Sequence, residues 1–216
     1  MLSMYSSMSL LIFDFDGTMF DSMPHIHRGL TNVFTRCGLP VPSVQEFLIH
    51  LRPPYTSFYK KRGVTLSDEE IDRLFLEKAN EPGATLFPDA VPTIIRLAAQ
   101  GHVLAIVSGN YRTRVEQVLT DAGIIRHFSG IRGECESKTA AISAVIHELG
   151  FSKADALMIG DSVLDIEHAT SISVRSVGII RYPGLKDMSK HLIEAGATSC
   201  INALSELDEH ISQAFP

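Results

Sequence analysis

Leu10-Leu11-Ile12-Phe13-Asp14-Phe15-Asp16-Gly17-Thr18 is the stretch that decides the fold. Apolar residues run into two carboxylates one residue apart, and a glycine follows. The run reads as a buried strand. Side chains alternate along a strand, so Asp14 and Asp16 lie on the same side while strand geometry persists. Gly17 permits the tight turn that ends it. Two acids at the carboxyl end of a buried strand are costly unless a cation compensates them. Hard oxygen ligands of this kind suit Mg²⁺.

Downstream of this stretch the pattern becomes helical. Pro24 suits the first turn of a helix. Ile26, Leu30, Val33, Phe34 and Cys37 recur at helical spacing, and Gly38 can close the helix. Leu39-Pro40-Val41-Pro42 is a connector. Ser43 with Glu46 and Ser67 with Glu70 match capping boxes. The second box opens a helix carrying Ile71, Leu74 and Phe75. Residues 21–85 therefore read as a helical block with no convincing strand, and Glu81-Pro82-Gly83-Ala84 reads as a hinge or linker.

From Leu86 onward strands and helices alternate. Val91, Ile94, Ile95 and Ala98 form a helical stripe, and His102 to Val107 a strand. Val115, Val118, Leu119 and Ala122 form the next stripe, and Ile142, Val145, Ile146 and Leu149 another. Ala156 to Ile159 and Val174 to Ile180 are strands. A helix ends at Leu192 to Ala195, and Ile201 begins an edge strand. This alternation predicts an α/β fold: a doubly wound parallel sheet with a helical block inserted after its first strand. The expected division is an α/β core of residues 9–20 and 86–216, with residues 21–85 as a second unit.

Composition sets limits on function. The 216 residues are 45% hydrophobic and 20% charged, an ordinary globular balance, and the net charge is -6. Acidity argues against nucleic acid as a partner, which favours a basic surface. Cys37, Cys135 and Cys200 are too few and too scattered for a disulfide framework, which suits a reducing cytoplasm. Residues 1–9 lack the basic start of a secretory signal, and residues 1–8 are expected to fray. Asp14 and Asp16 interrupt the apolar run behind them, so no membrane span is expected there.

Ligands of an open parallel sheet bind outside the carboxyl ends of its strands. The first strand delivers Asp14 and Asp16 there. The strand ending at Val107 delivers Ser108-Gly109-Asn110. The strand ending at Ile159 delivers Gly160-Asp161, with Asp165 four residues beyond. Ser108 and the amides after it could hold a phosphate, although a plain helix N-cap also accounts for the serine. Lys138 falls in the first turn of a helix capped by Ser137, where the helix dipole disfavours a cation. A bound anion would resolve that conflict, and so would solvation. Asp165 lies a helical turn from Asp161 and can share its face.

Together these motifs resemble those of the haloacid dehalogenase-like hydrolase superfamily. Asp14 and Asp16 resemble its first motif, Ser108 its second, Lys138 its third, and Asp161 with Asp165 its fourth. The helical block looks like the family's C1 cap, and the segment from Ile193 to Leu207 is similar to the closing segment of phosphoglycolate-phosphatase-like members. The resemblance covers about Leu10 to Leu207. It departs at Met19, where Leu is usual, at Thr139, where many relatives have Pro, and over His168–Ser173, which lacks their small-residue packing.

The resemblance implies a Mg²⁺-dependent phosphatase acting on a small phosphomonoester. By it, Asp14 is the nucleophile and Asp16 the general acid and base. Asp14, the Asp16 carbonyl and Asp161 would hold the metal, with Asp165 supporting them, and Ser108, Gly109 and Lys138 would bind the phosphoryl group. Substrate choice would lie in the cap, with His25, Arg28, Arg52, Tyr55, Lys60, Lys61 and Arg62 as candidates, although the 60–62 run also reads as a solvated face. A monomer or homodimer is expected. Three other readings remain: a β-phosphoglucomutase-type phosphomutase, haloacid dehalogenase chemistry, and a non-catalytic binding protein. Asp16 argues against the dehalogenase, because cleaving carbon from halogen needs no acid for the leaving group.

Overall fold

A computed structural model describes residues 8–79, 83–135, 137–185 and 187–215. Its centre is the expected apolar run, β1 (Leu10–Phe13), whose four side chains are all buried. Parallel neighbours flank it: β2 (Val103–Val107) on one side and β4 (Ala156–Gly160) on the other. Adding β3 (Phe128–Arg132), β5 (Arg175–Ile179) and β6 (Ser199–Ile201) gives one parallel sheet in the order β3-β2-β1-β4-β5-β6.

The period of two decides which side chains meet which layer. Leu11 and Phe13 pack with residues of α5 (Ala90–Ala99), α6 (Arg112–Asp121) and α10 (Leu207–Ala214). Leu10 and Ile12 pack with residues of α7 (Lys138–Glu148) and α8 (Val163–Ser171). A strand covered on both faces must be apolar throughout, as this one is.

Among the described residues, four helices lie between β1 and α5: α1 (Met23–Arg36), α2 (Val44–His50), α3 (Thr56–Lys60) and α4 (Asp68–Ala79). Pro24 sits in the first turn of α1, and beyond the helix Gly38 takes a φ of +67°, the left-handed geometry that favours glycine there. Both capping boxes form: Glu46 and Glu70 each accept the N–H of their serine, whose hydroxyl accepts theirs. Leu30, Val33, Phe34, Phe58 and Ile71 bury against one another, and their cluster continues into Val163 and Ile166 of α8 and Met188 and Leu192 of α9 (Met188–Glu194). The helical block is thus seated on the α8 and α9 side of the sheet.

Several expectations need correction. Of the expected α5 stripe, Ile94 is buried and Val91 and Ala98 pack against the core, joined by buried Ala90, Thr93 and Leu97, whereas Ile95 is 45% exposed. Ile201 ends the last strand instead of beginning it. Ser137 occupies the N-cap position of α7, but its side chain makes no capping bond. Strand β3 and helix α10 were not anticipated. Of the expected linker 81–84, residues 81 and 82 lie outside the described residues, as do residues 1–7 of the expected tail. Among the described residues no helix is long and apolar enough to cross a membrane.

Candidate active site

The strand order reverses at β1, between β2 and β4, so the chain winds in opposite directions on either side. The crevice at such a switch point, outside the carboxyl ends, is where open α/β sheets bind ligands. Asp14, Asp16, Ser108, Asp161 and Asp165 are delivered to that crevice.

Beyond β1 the Asp14 N–H still donates to Ile159 O of β4, so strand geometry carries Asp14 to the rim. The chain then turns about one oxygen: the N–H groups of Thr18, Met19 and Phe20 all point at Phe15 O. Phe15 and Phe20 stack beneath the turn, with ring centroids 5.0 Å apart. Arg181 clamps it from the far side, donating to Thr18 O from Nε at 3.0 Å and from Nη2 at 2.9 Å. Gly17 takes a φ of +74°, and a Cβ there would stand 2.0 Å from Asp161 Oδ2. Glycine is needed twice over, for the turn and for the approach of the β4 carboxylate.

Carboxylate oxygens of Asp14, Asp161 and Asp165 lie within 4.8 Å of one another, and all three residues are buried. Lys138 reaches in from the first turn of α7; its Nζ lies 2.6 Å from Asp165 Oδ1 and also donates to Asp14 Oδ1. The apparent conflict between a cation and a helix N-terminus is therefore resolved by two acids from other elements, Asp14 at the end of β1 and Asp165 in α8. The other oxygen of Asp165 accepts from the N–H and hydroxyl of Ser162, at 3.1 and 2.7 Å, and so caps α8. Both oxygens of Asp165 are engaged, and it serves to hold Lys138 and the helix. Asp161 differs, because its Oδ2 is buried with no hydrogen-bond partner.

When fully ionised, three buried carboxylates against one ammonium leave an excess of two negative charges. Burial raises Asp14 to about 7, with Lys138 pulling the other way. Burial also raises Asp161 well above the usual carboxylate range, and Asp14 and Asp165 add to the effect. Burial alone would lower Lys138, but the two carboxylates outweigh it and hold the ammonium above its usual range. A hard-oxygen site with an orphaned oxygen and two uncompensated charges fits a divalent cation such as Mg²⁺.

That electrostatic state has a consequence for stability. In EDTA, between about pH 4 and pH 7, the folded chain retains protons that the unfolded chain has released. Stability must then fall as pH rises through that window. His102 and His168, which burial holds below the usual histidine range, act in the opposite sense near neutrality. Comparison with Asp161→Asn isolates the acids. Melting temperatures in EDTA are expected to fall more steeply with pH in the wild type than in Asp161→Asn, and Mg²⁺ to reduce the difference. Identical slopes would show that Asp161 carries no unpaired charge.

Ser108 is fully buried at the end of β2, and its Oγ accepts the Asn110 N–H at 3.0 Å. Gly109 is exposed beside it. Asp16 stands outside the cluster of three acids. Its two oxygens lie 3.2 and 2.9 Å from Asn110 Nδ2, and burial raises its carboxyl while Ser22 and then Asn110 oppose the rise. Asn110 was placed at this rim by its position after β2 but given no role, and Arg181 was not anticipated. Their partners come from other strands, and no local spacing marks them.

The candidates in the helical block separate. The Tyr55 hydroxyl comes 3.5 Å from where a Gly109 Cβ would stand, so this side chain does reach the crevice. Arg52 pairs with Glu167 of α8 at 2.8 Å and donates to Ile49 O and Leu51 O. Lys60 pairs with Asp68, and Arg62 lies 3.8 Å over the Phe58 ring. Arg28 Nη2 meets His25 Nδ1 at 2.7 Å, and Lys61 is exposed. Arg52, Lys60 and Arg62 are thus engaged in holding the block together or onto α8. A groove of about 390 Å³ between α1, α2 and the segment after β5 is lined by Met23, His27, Val44, Tyr182 and Leu185, and does not include the acids.

The profile described as haloacid dehalogenase-like hydrolase matches residues 11–179. A phosphoglycolate phosphatase from Yersinia pseudotuberculosis is 25% identical over 182 residues, covering 77% of this chain and 78% of that one. Among solved structures, a haloacid dehalogenase-like hydrolase from Streptococcus pneumoniae aligns with a TM-score of 0.75 at 22% identity, covering 94% of this chain and 98% of the other. A putative β-phosphoglucomutase from Bacteroides vulgatus also has a TM-score of 0.75, at 19% identity, covering 97% and 90%.

Proposed function

The chain belongs to the haloacid dehalogenase-like hydrolases, and we propose that it is a Mg²⁺-dependent phosphatase of small phosphomonoesters, phosphoglycolate or a sugar phosphate among them. The observation that carries this reading is the orphaned Asp161 Oδ2 beside Asp14 and the Lys138 ammonium at the switch point. Relatives called phosphoglycolate phosphatase support the substrate class.

Asp14 attacks phosphorus, the bond from phosphorus to the leaving oxygen breaks, and an aspartyl-phosphate forms. The leaving oxygen keeps the bonding pair and takes a proton from the Asp16 carboxyl. Water then attacks phosphorus as Asp16, now a carboxylate, accepts its proton, and Asp14 departs as a carboxylate. Ser108 Oγ, the Gly109 amide and Lys138 Nζ hold the phosphoryl oxygens and stabilise their charge in the transition state. Asp165 aims Lys138. Asp14, Asp161 and the Asp16 carbonyl would hold Mg²⁺, which supplies charge neutralisation at the phosphoryl group.

Residues 21–85 act as a cap that excludes water during the first transfer and selects the substrate, with Tyr55 its contact to the phosphoryl site. The three cysteines are free, which suits the reducing cytoplasm in which we place the protein.

The test is a screen of phosphomonoesters (phosphoglycolate, sugar phosphates, nucleotides and p-nitrophenyl phosphate) with Mg²⁺ and with EDTA. Phosphate release that requires Mg²⁺ is expected. Conversion of a sugar phosphate to its isomer without release would assign phosphoryl return to sugar instead of water. Inertness towards every ester would overturn the phosphatase reading.

A further inference from the structure

Asn110 ties together two parts of the site that come from different strands. Its N–H donates to Ser108 Oγ at 3.0 Å, and its Nδ2 lies 3.2 and 2.9 Å from the oxygens of Asp16. Its carbonyl accepts the Glu134 N–H at 2.8 Å. The backbone of Asn110 is therefore fixed on both sides, and its side chain projects from a rigid base.

The chain beyond β3 is shaped to provide that base. Glu134 takes a φ of +55°, a conformation that a side chain disfavours and that persists only where its surroundings impose it. Gly133 packs so closely that a Cβ there would stand 2.7 Å from Asn110 O and 2.4 Å from Arg112 N. A glycine and a strained glutamate are thus spent on seating the segment that carries Asn110.

We infer that Asn110 is the positioning residue of Asp16: it fixes the rotation of the Asp16 carboxyl and ties it to the Ser108 phosphate cradle. The inference rests on the reading of Asp16 as general acid and base. Phosphoryl transfer runs with the attacking and leaving oxygens roughly in line. An acid serving the leaving oxygen must therefore stand apart from the nucleophile. Asp16 does so, outside the cluster of Asp14, Asp161 and Asp165 and turned to the β2 side, where the Asn110 amide donates to it. In the proton transfer, one carboxyl oxygen keeps the amide bond while the other gives its proton to the departing alkoxide, which leaves as an alcohol.

The test compares two leaving groups. An alkoxide is a strong base and needs the proton from Asp16, whereas p-nitrophenolate departs without one. The parameter kcat/KM covers the steps up to the departure of the leaving group, so the later base step does not enter. In Asn110→Ala, kcat/KM for 2-phosphoglycolate is expected to fall about 10- to 100-fold relative to that for p-nitrophenyl phosphate. Asn110→Ser, a small polar residue too short to reach Asp16, should behave alike and guards against a misfolded variant. Equal losses on both esters would overturn the inference, since a structural role slows both alike. Asp16→Asn, assayed on the same pair, separates the two layers. If it fails to change the ratio, the reading of Asp16 falls and the inference with it. If it changes the ratio and neither Asn110 variant does, the inference alone falls.

Discussion

Asp14→Asn is expected to leave the chain folded and to lower phosphate release by a factor on the order of 10⁴ or more, as removal of a covalent nucleophile does elsewhere. An amide of the same shape fills the same space at the end of β1 but cannot form the aspartyl-phosphate. The effect on stability runs the other way. Asp14 is 4% exposed, and burial raises its carboxyl, so its charge opposes folding when no divalent cation is bound. In EDTA near neutral pH the variant should therefore melt no lower than the wild type. Function and stability make opposite demands at such a position. Melting curves and phosphate release measured on one preparation check both halves. A variant that melts far below the wild type in EDTA would contradict the electrostatic account of the site.

Lys138→Ala should be costly in both respects. The lysine side chain is 12% exposed, and those of Asp14 and Asp165 are 5% and 2% exposed. Its removal leaves three buried acids with no cation among them. Breaking a buried ion pair from one side costs about 3–5 kcal/mol. Loss of one donor to the phosphoryl oxygens should lower turnover by about 10²- to 10³-fold. Both Mg²⁺ and mildly acidic pH should return part of the stability, because each reduces the uncompensated charge. Urea titrations with EDTA and with Mg²⁺ test this directly. A variant as stable as the wild type in EDTA would mean that Lys138 is no partner of the acids in solution.

The strands that carry the chemistry were the legible ones. Strands β1 and β4 are covered on both faces, so their sequences are unbroken apolar runs, and the acids that end them stand out. Strand β3 escaped because it lies at the sheet edge. It is only partly buried, includes Ser129 and Gly130, and joins β2 with a register shift between Leu104 and Ala105. The α5 stripe was misread because Ile95 is as apolar as Ile94, and only packing exposes it.

Within the site, residues marked by chain position were readable: the paired acids, the serine after a strand and the lysine at an awkward helix start. Asn110 was not, because its meaning depends on the adjacency of β1 and β2. The pairing of Arg52 was hidden for the same reason, since its partner Glu167 lies in a distant helix.

The central claim is that Asp14 becomes phosphorylated during turnover. The most direct measurement mixes the protein and Mg²⁺ with a turned-over phosphomonoester, quenches with acid within the first turnover, reduces with borohydride, and maps the modified peptide by mass spectrometry. Borohydride converts an aspartyl-phosphate to homoserine. The account predicts homoserine at position 14, absent when substrate is omitted. Phosphate release with Asp14 unmodified, or with the label on another residue, would contradict it.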